Sequence, residues 1–455
     1  MSKRTLSVLA ALLATTVAAS PAIARSPQNA GSAPAAPTPN PGAGETPQPN
    51  AVIEWNRTLL AIVRTKTPTP LQPPTVHATR AFAILHLAIY DAVVAVDGGK
   101  PYLREHVLAK PASAPAAADQ AAHDVLVALY PSQQPALDNE LNADLARVPT
   151  GARLTRAVSV GRAAAQSILA NRAQDGSSAT PPPYTAAPGP GVFEPIAPAT
   201  AVFTHWASVK PFAIRRASEF RPPVPPALSS SSYQQALAQV ESLGQNSSST
   251  RTPEQTTIAT FWNGNIWDYW NEIAQSASLA HHDTLAQDAR LFAQLNVTFA
   301  DSVIAFYDAK YTYRVWRPQT AIDTGFAGFA ASPQWAPLSK TPADPSYPGA
   351  HATISQAGAT VLSAFFHSDT EAYTVTSEVM PGTTRHFDGF AAAAAEASVS
   401  RVYAGVHTQL DEDAGQRLGR SVATFVLHNG PLAAARTGRA PHSSAGGGAT
   451  RSHAR

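Results

Sequence analysis

Apolar residues recur at helical spacing through most of this chain. Phe82, Leu85, Ile89 and Val93 fall three or four positions apart, which puts them on one stripe of a helix over 78–96. The same reading predicts helices over 51–66, 116–130, 134–146, 154–172, 232–243 and 253–277. In the second half it predicts a long helix over 285–313, a Pro-containing loop over 333–348, and helices over 351–366, 389–404 and 407–427. The strict alternation of a half-buried strand is scarce. An all-α architecture of two helical bundles follows, with the chemistry in the C-terminal one.

The pattern lapses in three places. Residues 25–50 are Pro, Ala, Gly and Ser with almost no bulky apolar side chains, and 437–455 are Gly, Ser, Arg and His. Neither stretch can bury enough surface to offset the entropy of ordering, so both read as disordered. The third lapse is the Pro-rich connection over 180–226, whose Phe193, Phe203 and Trp206 predict that it is packed. These lapses divide the chain into an N-terminal helical half over 51–226 and a C-terminal bundle over 227–436.

Composition then narrows the function. Lys3 and Arg4, the apolar run from Leu6 to Val17, and Ala22-Ile23-Ala24 have the order of a secretory signal over 1–24. Export to the periplasm or the outside of the cell is expected. The formal charge of +2, with its cations scattered, excludes the electrostatic footprint of a nucleic-acid binder or of a protein held to an anionic membrane. No stretch after the signal offers the ~18 to 20 consecutive apolar residues of a membrane span. The absence of cysteine removes thiol chemistry, disulfides and cysteine-based zinc or iron-sulfur sites.

Three segments carry candidate chemistry. In Lys310-Tyr-Thr-Tyr-Arg-Val-Trp-Arg317-Pro318, seven residues are about two helical turns, so Lys310 and Arg317 share a face while the helix lasts; Pro318 marks its end. In Tyr347-Pro348-Gly349-Ala350-His351, Gly349 and Ala350 permit close backbone approach to a ligand at a helix start, where N–H groups are unpaired. His351 stands at the mouth of that cradle as a proton donor or acceptor. In Ser400-Arg401-Val-Tyr-Ala-Gly405-Val-His407-Thr-Gln-Leu-Asp411, the spacing of four lets Asp411 orient the His407 imidazole on a helix, and Gly405 allows a turn that brings Arg401 and His407 to one centre. Taken singly, each segment equally fits solvated cations, a structural histidine bond or a surface ion pair.

Together the three segments read Lys-x6-Arg-Pro, Pro-x-x-His and Ser-Arg-x5-His-x3-Asp. This set resembles the signature of the vanadium-dependent haloperoxidase and type 2 phosphatidic acid phosphatase (PAP2) superfamily. The stretch Arg80 to Ala92 also looks like the N-terminal half of its bacterial haloperoxidase-like branch, although His86 and Asp91 have no chemistry of their own that takes them out of the core. The resemblance implies that Lys310, Arg317 and Arg401 bind the oxygens of vanadate or phosphate. It makes His407 the vanadate ligand or, with phosphate, the nucleophile, His351 the general acid or base, and Asp411 the partner of His407. One departure stands out: the family's Pro-Ser-Gly-His has Gly349 and Ala350 in place of Ser-Gly, which removes a hydroxyl donor and leaves backbone N–H groups. Such a loss costs ~10²-fold or more in rate.

Three activities are consistent with this reading. The first is a haloperoxidase using vanadate, hydrogen peroxide and halide to form hypohalous acid. The second is an acid phosphatase without a cofactor, acting on a phosphate ester through a phosphohistidine. The third is a secreted oxyanion-binding protein without turnover. His281-His282-Asp283 is set aside as a metal site because adjacent histidines leave a helix in different directions, with Asp283 read as a cap. The short acceptor patterns at Asn56, Asn246 and Asn296 carry little weight.

Overall fold

A computed structural model describes residues 49–65, 76–103 and 109–433. The stretch read as a signal, the stretch read as a tail, and all but the last two residues of the leader lie outside these described residues. Asn50 opens the first helix, α1 (Ala51–Arg64), by accepting the N–H of Val52, and its amide donates to Asp288 at 2.6 Å. α2 (His77–Asp97), α3 (Ala114–Leu129), α4 (Gln134–Leu145) and α5 (Ala152–Arg172) follow, with α3 packed on both α2 and α5. Helix α2 is long and apolar enough to cross a membrane, yet 89% of its apolar window is buried inside the protein, which makes it a core helix.

His86 and Asp91 of α2 serve structure. The His86 Nε2 lies 2.8 Å from Asn56 Oδ1, and Asp91 accepts the N–H groups of Tyr102 and Leu103 at 2.6 and 3.1 Å. Asn56 and Asn296 are fully buried, so the acceptor pattern has no accessible amide at either.

After the Pro-rich connection come α6 (Ser231–Leu243), α7 (Pro253–Phe261), α8 (Ile266–His281) and α9 (Leu285–Tyr313). A capping box between Thr284 and Gln287 starts α9, so the cap is Thr284 and not the expected Asp283. α9 packs against α2 on behalf of the first group of helices. It also packs against α11 (Ala350–Phe366) and α13 (Gln409–His428) of the second, so both groups share it. Its Asp301 accepts three consecutive N–H groups, from Phe212, Ala213 and Ile214 at 2.7, 2.7 and 2.8 Å. The Pro-rich connection is thereby held on the core, and Phe193 and Trp206 are buried as their chemistry predicted.

The remaining elements are α10 (Pro318–Thr324), α12 (Phe390–Tyr403) and a small antiparallel ribbon, β1 (Tyr373–Thr376) with β2 (Thr384–Phe387), in which Tyr373 faces Phe387. Apart from this ribbon and isolated bridges, the regular structure of the described residues is helical, as the periodicity predicted. Two boundaries that differ from the sequence expectation shape the site, and so does the end of α9, which falls at Tyr313 as expected.

The expected helix over 253–277 is two helices, broken at Trp262-Asn263-Gly264-Asn265, where Asn-Gly-Asn favours a turn over continuation. α9 ends at Tyr313, with Arg314 left-handed at φ 52°, so Arg317 stands on the following loop and not on the same helix as Lys310. Pro318 acts one element later than expected: it forces Arg317 into extended backbone (φ −84°, ψ 152°) and opens α10. The expected helix over 407–427 starts at Gln409, because Thr408 caps it in a box with Asp411. His407 therefore precedes the helix that carries Asp411.

Candidate functional site

The residues singled out by sequence arrive at one place by different routes. Lys310 comes from the last turn of α9 and Arg317 from the loop beyond it. That loop is extended and braced by the Pro-rich connection: Trp316 donates its N–H to Gly191 and Phe193 donates to Arg314. Ala350 and His351 open α11, Arg401 lies in the last turn of α12, and His407 sits in the tight link to α13. Gly405 makes that link at φ 79°, a value other residues adopt at a cost, and a Cβ there would meet the Gly244 carbonyl at 2.4 Å. All six side chains or backbones line one cavity of about 240 Å³. Its other wall is apolar and aromatic, with Val202, Phe203, Ile266, Trp267, Phe306 and Tyr307.

Gly349 and Asp411 stand behind this lining. The Gly349 N–H donates to the Asp411 carbonyl at 2.8 Å, so its backbone donor is engaged within the protein. Ala350 and His351 occupy the first positions of α11, where helical N–H groups have no intrahelical acceptor. The missing serine also has a steric cause. A Cβ on Gly349 would meet Glu412 Oε1 at 2.3 Å, so the buried Glu412 carboxyl fills the space a serine side chain needs.

His407 is held by contacts on both ring nitrogens. Arg317 Nη1 approaches its Nε2 at 3.1 Å, and guanidinium can only donate, so Nε2 is the acceptor and Nδ1 carries the proton. Nδ1 lies 3.6 Å from Asp411 Oδ2, too far for the direct bond expected from a spacing of four. Ser346 closes the gap: its hydroxyl is 3.3 Å from Nδ1 and donates to Asp411 Oδ2 at 2.9 Å. Asp411 Oδ2 also accepts the N–H of Thr408 at 2.7 Å, the capping bond that pulled it out of register with His407. Burial, then Arg317, Lys310 and Arg401, push the His407 imidazolium well below its ordinary range, so the ring is neutral near pH 7.

His351 is also neutral. Burial dominates, Arg401 and His407 add to it, and the carbonyls of Trp262 and Gly264 oppose them without prevailing. Its Nε2 lies 3.1 Å from the Trp262 carbonyl, which fixes the proton there and leaves Nδ1 as the acceptor. Asn263 Oδ1 accepts from Arg401 Nη1 at 2.8 Å. The break between α7 and α8 thus orients both His351 and Arg401. Its only signal in the sequence was Asn-Gly-Asn inside an apolar run.

The three cations are not equivalent. Lys310 is fully buried and directs its ammonium to the carbonyls of Pro345 and Ser346 and, at 3.3 Å, to Asp344 Oδ2. Arg317 bonds the Asp344 carbonyl at 2.7 Å, the Asp344 carboxylate at 2.5 Å, and the Val406 carbonyl at 2.9 Å. Arg401 differs, because its Nε is buried without a hydrogen-bond partner. Burial pushes Lys310 down to about 8. Burial alone would raise Asp344, but Lys310 and Arg317 outweigh it and hold the carboxylate below its usual range. Asp344, Ser346 and Glu412 were not singled out from sequence. Each is an ordinary polar residue whose partners come from other elements, so no spacing announced it.

Comparison with known proteins agrees with this geometry. A family model described as the VCPO second helical-bundle domain matches residues 290–430, the stretch that holds the side chains discussed above except those of the α7–α8 break and Val202, Phe203, Ile266 and Trp267 of the apolar wall. The fold is similar to that of a bacterial vanadium-dependent iodoperoxidase, with a TM-score of 0.70 and 25% identity, over 83% of this chain and 94% of that one. It is also similar to a holo-type bacterial vanadium-dependent chloroperoxidase, with a TM-score of 0.66 and 17% identity, over 84% of this chain and 98% of that one. Among curated proteins no sequence matches significantly. Signature, fold and the family match over residues 290–430 together support a place in the vanadium-dependent haloperoxidase and PAP2-like superfamily.

Proposed function

We propose that this protein is a vanadium-dependent haloperoxidase, with hydrogen peroxide and halide as substrates. The observation that carries the reading is the pairing, in one cavity, of a neutral His407 whose Nε2 is an acceptor with an Arg401 whose buried Nε has no partner. A buried guanidinium donor left unpaired is costly, and an oxyanion oxygen satisfies it. A neutral imidazole lone pair could bind the central atom of such an anion.

The donor set fits vanadate. Arg401 and the opening N–H groups of α11 would bind its oxygens, His407 Nε2, exchanging its bond from Arg317, would be the ligand, and Ser346 and Asp411 keep the proton on Nδ1. Bound vanadate supplies the activation of peroxide toward halide oxidation. His351 Nδ1, neutral and unprotonated, takes up a proton in the cavity, and its Nε2 stays bonded to Trp262. The apolar wall excludes water and strengthens every charge interaction inside. The leader over 1–24 adds the proposal that the enzyme works outside the cytoplasm, checked by whether the exported chain begins at Arg25.

A phosphatase would use the same His407 as nucleophile and needs a protonated His351 for the leaving group. Burial and Arg401 act against a protonated His351 in either activity, so the assays separate the two. The test is halogenation of a phenol dye with bromide and peroxide, with and without vanadate. Vanadate-dependent turnover is expected, and equal rates refute the proposal. An aryl phosphate assay with trapping of phosphohistidine at His407 identifies the phosphatase. Tight anion binding by calorimetry with neither activity identifies a binding protein.

A further inference from the structure

The cavity carries its own anion. Asp344 is buried, lines the same wall as Arg401 and His407, and engages Arg317 Nη2 at 2.5 Å and Lys310 Nζ at 3.3 Å. The three donors of Lys310 are already divided among Pro345, Ser346 and Asp344, and Arg317 is bonded on Nε, Nη1 and Nη2. Among these three cations only Arg401 has a buried nitrogen with no partner at all. A fixed carboxylate beside the guest repels it in proportion to the guest's charge, and the low-dielectric wall amplifies that repulsion.

We propose that Asp344 is a specificity-determining residue, a built-in counter-ion to Lys310 and Arg317 that narrows the preference of the site for doubly over singly charged tetrahedral oxyanions. Arg401 and the start of α11 are then the first anchors of the guest, and Lys310 and Arg317 are shared between it and Asp344. This inference rests on the oxyanion-site reading above and specifies which anions that site accepts.

The test compares two tetrahedral anions of fixed charge, sulfate and perchlorate, by calorimetry at about pH 6, where Lys310 is held protonated. Wild type is expected to bind sulfate less than about tenfold more tightly than perchlorate. Asp344→Asn is expected to raise that ratio at least about tenfold, and Asp344→Glu, which keeps the charge, to leave it near the wild-type value. A folded Asp344→Asn protein with an unchanged ratio overturns the proposal, and so does an equal rise in Asp344→Glu. If Asp344→Asn does not fold, the wild-type ratio decides alone: below tenfold supports the counter-ion, and above it refutes it. Absence of binding of sulfate, perchlorate and orthovanadate by folded wild type removes the oxyanion site itself, a failure distinct from an unchanged ratio.

Discussion

His407 draws its reactivity from a hydroxyl that belongs to another segment. Ser346 accepts from Nδ1–H and donates to Asp411, which stands 3.6 Å from the ring and is engaged in capping α13. Ser346→Ala leaves that N–H without an acceptor in reach, and outer partners of a ligating histidine are worth ~10- to 100-fold in affinity. We expect vanadate affinity to fall by about that factor, measured by reconstituting the vanadate-free protein; an unchanged affinity would show that Asp411 acts on His407 directly. Gly349 gives a second prediction. Gly349→Ser drives Cβ into Glu412 Oε1 and should cost about 1–3 kcal/mol in urea unfolding, the range for an overpacked site. Adding Glu412→Ala removes the clash, so the double-mutant cycle should show a coupling of at least about 1 kcal/mol. Additive effects would mean that the Glu412 side chain swings aside at little cost. The Gly at this position was legible in the sequence as a departure from the motif. Its cause was not, because Glu412 lies one residue beyond the last position of the signature.

At the level of elements, capping and breaking residues decide where the chemistry stands. The T-x-x-D box of Thr408 and Asp411 moved the start of α13 past His407, and Asn-Gly-Asn split α7 from α8. Both signals were present in the sequence, but apolar periodicity outweighed them. Their consequence, the aim of Trp262 and Asn263 at His351 and Arg401, needed the third dimension. The contact between α1, α2 and α9 gives a pH prediction. Burial lowers His86 from 6.5 to about 3, and its ring packs between Phe82 and Phe292. A histidine whose folded value is depressed contributes full stability above its unfolded value of about 6.5, and loses it as pH falls toward 3, because the unfolded chain takes up the proton first. Wild type should therefore lose about 2 kcal/mol between pH 7 and pH 5 that His86→Gln does not lose. Parallel stability-pH curves for the two proteins would exclude this linkage.

Across the whole molecule the cavity joins the end of α9, the loop before α10, the start of α11, the end of α12 and the approach to α13. A guest that binds only when all five are in place stabilises the folded state by mass action, about 2.7 kcal/mol at a hundredfold excess over Kd. Orthovanadate should raise the melting temperature of wild type and fail to do so in Arg401→Ala, followed by calorimetry; a rise of equal size in both would place the anion elsewhere. The sequence alone determined the helical class and, through the resemblance of three segments, the residues that meet at the cavity, because periodicity and motif order are properties of a linear chain. Tertiary structure alone decided which cation keeps a buried nitrogen without a partner, that Ser346 stands between His407 and Asp411, and that Asp344 neutralises part of the pocket. Those are contacts between segments tens of residues apart. Their energies depend on burial and angstrom-scale distance, which residue order does not encode locally.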